Sequence, residues 1–590
     1  MHRVSCIHIE NFRACRNITL PLDSYTPLVG QNNAGKSTIL EAIRWVLKPS
    51  NLKSSDFYDE EKPVSVAACI DGIDSEVLDR IPHDRHRQAI EPYCRDGRLW
   101  IRVTATNTRS KDQEVWSVDE CPQDGVPEHW QTYPTGLPQA VSALLPEPLH
   151  VLAMHDIGED LGKAKTGTTI KGLLDEIMKP LLAAHDELTT ALDTIRNVLT
   201  TGGEQRSDHL QQFDTSATDA LESFFPGLAL DLDLQVVDIK EFFKAGDLHV
   251  TDMVSGDRRR FDQMGTGAQR AIQMALIRYL ADVRRAEDDQ LSRRLLLIDE
   301  PELYLHPQGV RRLREALKTL SSAGFQVIFS THSPLMLSRD NAPNTVIVGN
   351  TVDDGVTARK PLNQAVQDAI EDAESQSQTL FELGNLVDIY FADRVILCEG
   401  KTDRRLLPLA YEQLYQRSPD LDHITFVSVG GCNNFAKALS ILSAMDIRAC
   451  AIADLDFAYT NARKSGLLER DGADMAAAKA TLRRLRPEHG FTLSGNGLPQ
   501  KCNQWSAADI WACFASDDEG QDIAQGSHET LKDARVWAWP QGCIEQVTGA
   551  DDKGEDAIME QEQQLRAMSA AEIEQQMPAF KACFDWIRSL

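Results

Sequence analysis

The chain has 590 residues, 42% hydrophobic and 25% charged, which are values of an ordinary globular protein long enough for several domains. Its net charge of −28 lends no support to non-specific attraction for a polyanion, and no apolar run is long enough to span a bilayer. The twelve cysteines include no C-x-x-C pair, and the opening MHRVSCIHIENF alternates polar and apolar residues instead of building a signal core. The expectation is a cytoplasmic chain with free, buried thiols such as Cys398 and Cys450 and no membrane contact.

Taken in order, residues 6–9 and 18–20 have strand character, and 25–29 form a strand that leads into Gly30. Residues 38–47 then place Ile39, Leu40, Ile43 and Leu47 at helical spacing, with Pro49 just past the end. Residues 64–106 read as β-rich. From 170 to 221 the pattern becomes helical, and Thr201-Gly202-Gly203 breaks it into two arms. Strand character returns at 228–237 and 248–250. Helix and buried strand then alternate: helix 268–281, strand 295–298, helix 309–320, strand 326–329. Such a pattern implies a parallel sheet covered on both faces. Residues 363–382 are polar and acidic and read as a linker. A second alternation follows, with strands at 395–398, 424–427 and 449–453 and helices at 405–415 and 435–443.

Two groups of residues carry chemistry. Gly30-Gln31-Asn32-Asn33-Ala34-Gly35-Lys36-Ser37 fits the phosphate loop G-x-x-x-x-G-K-S/T between a strand and a helix. Its backbone N–H groups, with Thr38 in the following turn, would surround phosphates at a positive helix N-terminus. Lys36 would reach the β/γ-phosphates and Ser37 the Mg²⁺. Downstream, the buried strand Leu295-Leu296-Leu297-Ile298 delivers Asp299 for the metal and Glu300 for an attacking water, and His332 ends the next strand, where it could sense the γ-phosphate. The second group begins at Glu399, which a buried strand delivers ahead of Gly400, with Asp403 four residues on. Another buried strand delivers Asp454-Leu455-Asp456, whose alternation allows both acids to face one side. Four carboxylates at parallel strand ends suit Mg²⁺ or Mn²⁺, with Ca²⁺ also compatible, and would be costly to hold together without a cation. Glu545 and Lys553 are weaker additions, as a further metal ligand and as a cation for the transition state; Asp509 is weaker still. The basic clusters Arg258-Arg259-Arg260, Arg293-Arg294 and Arg483-Arg484-Leu485-Arg486 are more often solvated faces than nucleic-acid sites.

The phosphate loop, the acidic strand end and His332 together resemble the ABC-type ATPases, especially the DNA-repair branch with the SMC-like proteins. That resemblance implies that Gly265-Thr266-Gly267-Ala268-Gln269-Arg270 is the signature loop, with Gly265, Gly267 and Gln269 touching nucleotide held by a second protomer. Thr266 and Ala268 depart from the usual Ser and Gly. E-G-x-x-D followed by D-x-D, with Gly430-Gly431 between, resembles the Toprim domain. The two in this order resemble the overcoming-lysogenization-defect (OLD) family. The implied fold is α/β: an ABC-type ATPase (1–168 and 226–362) carrying a helical dimerisation insert (169–225), a linker (363–388), and a Toprim, Rossmann-like nuclease domain (389–590). The implied activity is that of a homo-oligomeric, ATP-hydrolysing, metal-dependent DNA endonuclease tied to phage defence or exclusion, with room for a helicase-like or other protein partner. Rival readings are a non-cutting ATPase scaffold of repair or recombination, and a strand-passing or primase-like enzyme. No tyrosine domain or zinc spacing supports the latter.

Overall fold

The computed structural model describes residues 2–79, 81–117, 125–145, 148–151, 186–200, 204–222, 231–232, 249–251, 256–286, 294–338, 340–369, 386–428, 430–550 and 554–590. The chain divides into two compact units. One comprises Met1–Arg16, Leu22–Thr26 and Ser37–Met336; the other comprises Asn17–Pro21, Pro27–Lys36 and Leu337–Leu590.

In the first unit an antiparallel run orders the strands Trp130–Thr132, Asp112–Trp116, Arg98–Ala105, Val64–Asp71 and Arg3–Phe12. Val64–Asp71 is buried at nearly every position, so both of its faces are covered, and it pairs Val66 with Ile9 on one side and Val103 on the other. A separate set is parallel: Arg294–Ile298 lies between Phe325–Thr331 and Leu149–Val151. Helices Thr266–Ala286 and Pro307–Ser322 contribute Met274, Ile277, Val310, Leu313 and Leu317 to its core, which explains why the strands read as continuous apolar runs. Gln326, buried at 2% exposure, is the polar exception. Its amide accepts from Val4 N at 2.9 Å and donates to Val4 O at 2.6 Å, so the buried polar group is satisfied.

The helical insert is described in part. Helices Asp186–Leu199 and Asp208–Glu222 flank the expected break, and their joint is fixed by Arg206, buried, which pairs with Asp214 at 2.7 Å and reaches Leu199 O at 3.3 Å. Ile195 and Phe213 remain exposed. The earlier arm at 170–185, the Thr201-Gly202-Gly203 break and most of the strand expected at 228–237 lie outside the described residues. The strand expected at 248–250 is His249–Thr251, paired with Arg258–Arg260.

In the second unit, residues 363–369 depart from the linker reading. Leu362–Ala369 is a helix whose Leu362, Ala365 and Val366 are buried. Within 363–369 only Ala365, Val366 and Ala369 are apolar, too few positions to mark a helical period among polar neighbours. Residues 370–385 lie outside the described residues. Beyond them stands a four-stranded, wholly parallel sheet in the order Ile424–Ser428, Arg394–Cys398, Arg448–Ala453, Val536–Ala538. Alternate residues of each strand enter opposite cores. Val395, Leu397, Ala449 and Ala451 pack with the helix Phe435–Ala444, whereas Ile396, Cys398, Cys450 and Ile452 pack with the helix Lys401–Tyr415. The first crossover helix therefore covers one face and the second the other, so the chain reverses its direction of winding between the Glu399 and Asp454 strands. In open parallel sheets, ligands bind outside the carboxyl ends at such a reversal. The fourth strand, only three residues long, was not foreseen.

Candidate functional site

The phosphate loop has the backbone its glycines were expected to allow. Gly30 and Gly35 have φ of +156° and +99°, and a Cβ on Gly30 would lie 2.1 Å from the Val348 carbonyl oxygen. A Cβ on Gly35 would meet Val356 Cγ2 at 2.4 Å. Asn32 and Asn33 are exposed, and Asn33 is held by Asn350 Nδ2, which donates to its carbonyl at 3.3 Å. Lys36 is buried and its Nζ donates to Gly30 O at 3.0 Å and Gln31 O at 2.9 Å, so the ammonium sits within the loop's own curl. Ser37, exposed, and Thr38, half-buried, open the helix Lys36–Leu47.

The first unit brings Asp299, Glu300 and His332 together at the carboxyl ends of two parallel strands. Ser330 Oγ donates to Asp299 Oδ1 and accepts from Glu300 N at 2.9 Å. Glu300 has φ of +45°, a conformation that costs a residue with a side chain about 1 kcal/mol. Its neighbours over-determine it: besides the Ser330 contact, Arg270 Nη2 donates to the carbonyls of both Asp299 and Glu300 at 2.7 Å. The Glu300 carboxylate then faces His332, with Oε1 at 3.2 Å from Nε2. Glu302 lies behind them, accepting from Thr331 Oγ1 at 2.7 Å and His332 N at 2.8 Å. Burial raises its pKa against those two bonds.

Arg270 and Glu302 are the residues that sequence reasoning passed over. Arg270 is fully buried, and burial pulls its guanidinium down to about 10, although Glu302, Asp299 and Glu300 pull it back up. It is the last residue of the signature loop, stands in the first turns of the helix Thr266–Ala286, and ties that helix to the acidic strand end. Gly265 is exposed and Gly267 half-buried at the helix start. Gln269 points the other way from its expected role. It is 5% exposed and its amide donates inward to Phe261 O at 3.2 Å and Met264 O at 2.9 Å, which fixes the loop leading into the helix.

In the second unit the carboxyl edge of the parallel sheet gathers most of the expected acids. The edge strand Val536–Ala538 pairs with Arg448–Ala453, and two further bonds continue past their ends: Trp539 N to Ala453 O at 3.0 Å and Leu455 N to Gly542 O at 2.6 Å. These carry Cys543 and Glu545, at the start of the helix Ile544–Thr548, to Asp454. One ligand atom each of Asp454, Cys543 and Glu545 lie within 4.8 Å of one another. Glu545 is 5% exposed and Cys543 2%.

Glu399 and Asp456 both act electrostatically on Cys432, which follows Gly430-Gly431. Burial, followed by the charge of Glu399, pushes the Cys432 thiol up to about 12; Asp456 adds to this, and the Asn461 amide, 3.0 Å away, opposes it. Asp403 has a second role, as a cap. It is 6% exposed, accepts from Gly400 N at 3.1 Å as the helix cap, and its charge bears on the buried thiols of Cys398 and Cys583. Asp509 closes a capping box with Ser506, donating to Ser506 Oγ at 3.1 Å and accepting from Ser506 N at 2.8 Å. Lys553 lies outside the described residues.

The donor set fits a hard divalent cation. Two carboxylates, Asp454 and Glu545, come together with the Cys543 thiol, and carboxylate oxygen is the ligand that Mg²⁺ and Mn²⁺ prefer. No helix among the described residues is long and apolar enough to cross a membrane.

Residues 390–456 match the Toprim domain of overcoming-lysogenization-defect-like proteins, and residues 3–89 and 160–337 match the AAA ATPase domain. The Old nuclease of Escherichia phage P2 is 32% identical over 556 residues, covering 93% of each chain. The OLD nuclease of Thermus scotoductus is 25% identical over 479 residues, covering 76% of this chain and 81% of that one. Among solved structures, an Smc head domain from Pyrococcus furiosus aligns with a TM-score of 0.36 at 16% identity, over 62% of this chain and 98% of its own. The two matched domains entail nucleotide and divalent-metal use. With identity sustained along nearly the whole length and both domains in the order of their motifs, the chain belongs to the OLD family of nucleases, an ATPase joined to a Toprim domain.

Proposed function

We propose that this protein is an ATP-hydrolysing, Mg²⁺- or Mn²⁺-dependent DNA endonuclease, working as a homo-oligomer in phage defence or exclusion. The observation that carries the reading is the convergence of Asp454, Cys543 and Glu545 at the carboxyl edge of the parallel sheet. Asp454 and Glu545 would hold one cation, and Glu399 and Asp456 a second. Such cations, when bound, supply an activated water and a counter-charge for the leaving oxygen. Asp403 holds the Gly400 amide and so fixes the turn that presents Glu399. Lys553 is assigned the developing charge on phosphorus.

In the ATPase, the loop Gly30, Asn32, Asn33, Gly35 and Lys36 takes the phosphates, with Ser37, Thr38 and Asp299 on the metal side. Glu300 accepts the proton of the attacking water, and His332, 3.2 Å from its carboxylate, orients it. Gly265 and Gly267 are exposed enough to meet nucleotide on a second protomer; Gln269 acts through the loop it braces. The domain limits proposed are 1–168 with 226–362 for the ATPase, 169–225 for the dimerisation insert, 363–388 for the connection and 389–590 for the nuclease.

Supercoiled plasmid incubated with Mg²⁺ or Mn²⁺ and the purified protein tests both halves. Wild type nicks or linearises the DNA, Glu399→Ala does not, and Lys36→Ala no longer releases phosphate from ATP. Undiminished cutting by Glu399→Ala sinks the Toprim assignment. ATP hydrolysis with no metal-dependent cutting by wild type would identify a scaffold instead.

A further inference from the structure

A chain with net charge −28, cutting through a ring of carboxylates, must hold a polyanion against its own repulsion. The helix Ala473–His489 offers the means. It follows the Asp454 strand in the chain, precedes the edge strand Val536–Ala538, and belongs to the same compact unit. Its buried face is Met475, Ala478, Thr481, Leu482 and Leu485. Beside that face, Lys479, Arg483 and Arg486 follow at spacings of four and three and so lie along one line. Arg483 and Arg486 are exposed, and Lys479 is half-buried.

The hairpin of Thr492–Leu493 and Pro499–Gln500 flanks this line. Its tip residue Gly497 has its Cβ direction within 3.5 Å of Lys479 Cγ and 3.6 Å of Arg483 Nη2, and exposed Lys501 follows the second strand. None of these four cations forms an ion pair among the described residues, in contrast to Arg484, which turns away to Asp517 and Glu519. Between residues 473 and 505 there are five lysines and arginines against two acids, Asp474 and Glu488. Asp474 is already engaged by Arg463. That arginine also donates to Ala458 O at 3.1 Å, in the short helix that begins at Asp456, and so ties the root of the basic helix to the Toprim acids.

We propose that Lys479, Arg483 and Arg486, joined by Lys501, form the track that grips the phosphate backbone of the duplex DNA cut at the Toprim site. The proposal rests on the DNA-cleaving reading above. The line spans about 10 Å at 1.5 Å per residue, enough for roughly three phosphates of one strand. Duplex is favoured over single strand because the aromatic groups here are already packed on one another. Trp505 lies edge-on to Phe491 at 5.9 Å and to His489 at 6.1 Å, so these rings pack on one another and do not form a row of open faces of the kind that stacks unpaired bases.

The test is duplex binding by fluorescence anisotropy in EDTA, where no cutting occurs, across a range of salt concentrations. Each lost phosphate contact reduces the slope of log K against log salt by about 0.9, so Lys479→Gln, Arg483→Gln and Arg486→Gln together should flatten it by about 2.7. These replacements keep the stems on a helix surface, and thermal melting checks that the unit stays folded. Arg417→Gln, Lys532→Gln and Lys581→Gln together remove the same charge from ion pairs elsewhere in the unit and should leave the slope as in wild type. An unchanged slope in the stripe variant, or an equal fall in both variants, overturns the track. Absence of duplex binding by wild type at low salt overturns the DNA reading, and the track with it.

Discussion

The two acidic sites solve the problem of crowded carboxylates in different ways. In the ATPase, Asp299, Glu300 and Glu302 are each met by a protein donor: Ser330, His332, Thr331 and, behind them, the guanidinium of Arg270 on their backbone carbonyls. In the Toprim site Asp454 and Glu545 gather beside the Cys543 thiol, and the charges of Glu399 and Asp456 both bear on Cys432. A site braced by its own donors holds its shape before any ligand arrives. Where carboxylates gather, a bound cation relieves their mutual repulsion. The first is therefore expected to respond to mutation through geometry, the second through metal affinity.

The comparison breaks most readily at Glu300. Glu300→Gln should slow ATP hydrolysis by about 100- to 10,000-fold while a fluorescent ATP analogue still binds. Equal loss of binding would mean that the residue shapes the site and does not activate water. Next is Arg270→Ala, which strips the donor from the carbonyls of Asp299 and Glu300 and should lower the ATPase unit's unfolding free energy by about 3 kcal/mol in chemical denaturation. Asp509→Ala sharpens the Toprim side. As a capping residue it should cost about 1 kcal/mol of stability and leave metal affinity intact; weakened Mn²⁺ binding would return it to the site.

The smallest effect is on pH. Burial lowers the pKa of His150 in one unit and of His528 in the other, the latter despite its 2.6 Å contact with Ala538 O. A depressed histidine pKa means the unfolded chain binds the extra proton first, so stability falls as pH drops below about 6.5 and is unaffected above about 7.5. His528→Asn should flatten that decline in the Toprim unit's melting temperature; a decline of unchanged steepness would assign it to other groups.

What could be read in the sequence was contiguous. The phosphate loop, Asp299-Glu300, His332, Glu399 and Asp454-Leu455-Asp456 each stand at the end of an apolar run, and a strand end delivers its next residue to one edge of the sheet. What could not be read depended on pairing between distant segments. Glu545 reaches Asp454 through a three-residue strand too short to show a period, and Cys432 and Cys543 had the look of buried thiols anywhere. Arg270 stood in plain view inside the signature loop, but that a charge there is wholly buried follows only from the fold. Asp403 and Asp509 share the spacing of helix caps, and a motif alone does not distinguish a cap from a ligand.

Cation binding at the Toprim acids is the point on which the account rests, and isothermal titration of Mn²⁺ into nucleotide-free protein measures it without any cleavage assay. Wild type should take up the metal, and Asp454→Asn with Glu545→Gln should lose at least one site or bind it at least about tenfold more weakly. Uptake by the double variant with the stoichiometry and affinity of wild type would contradict it.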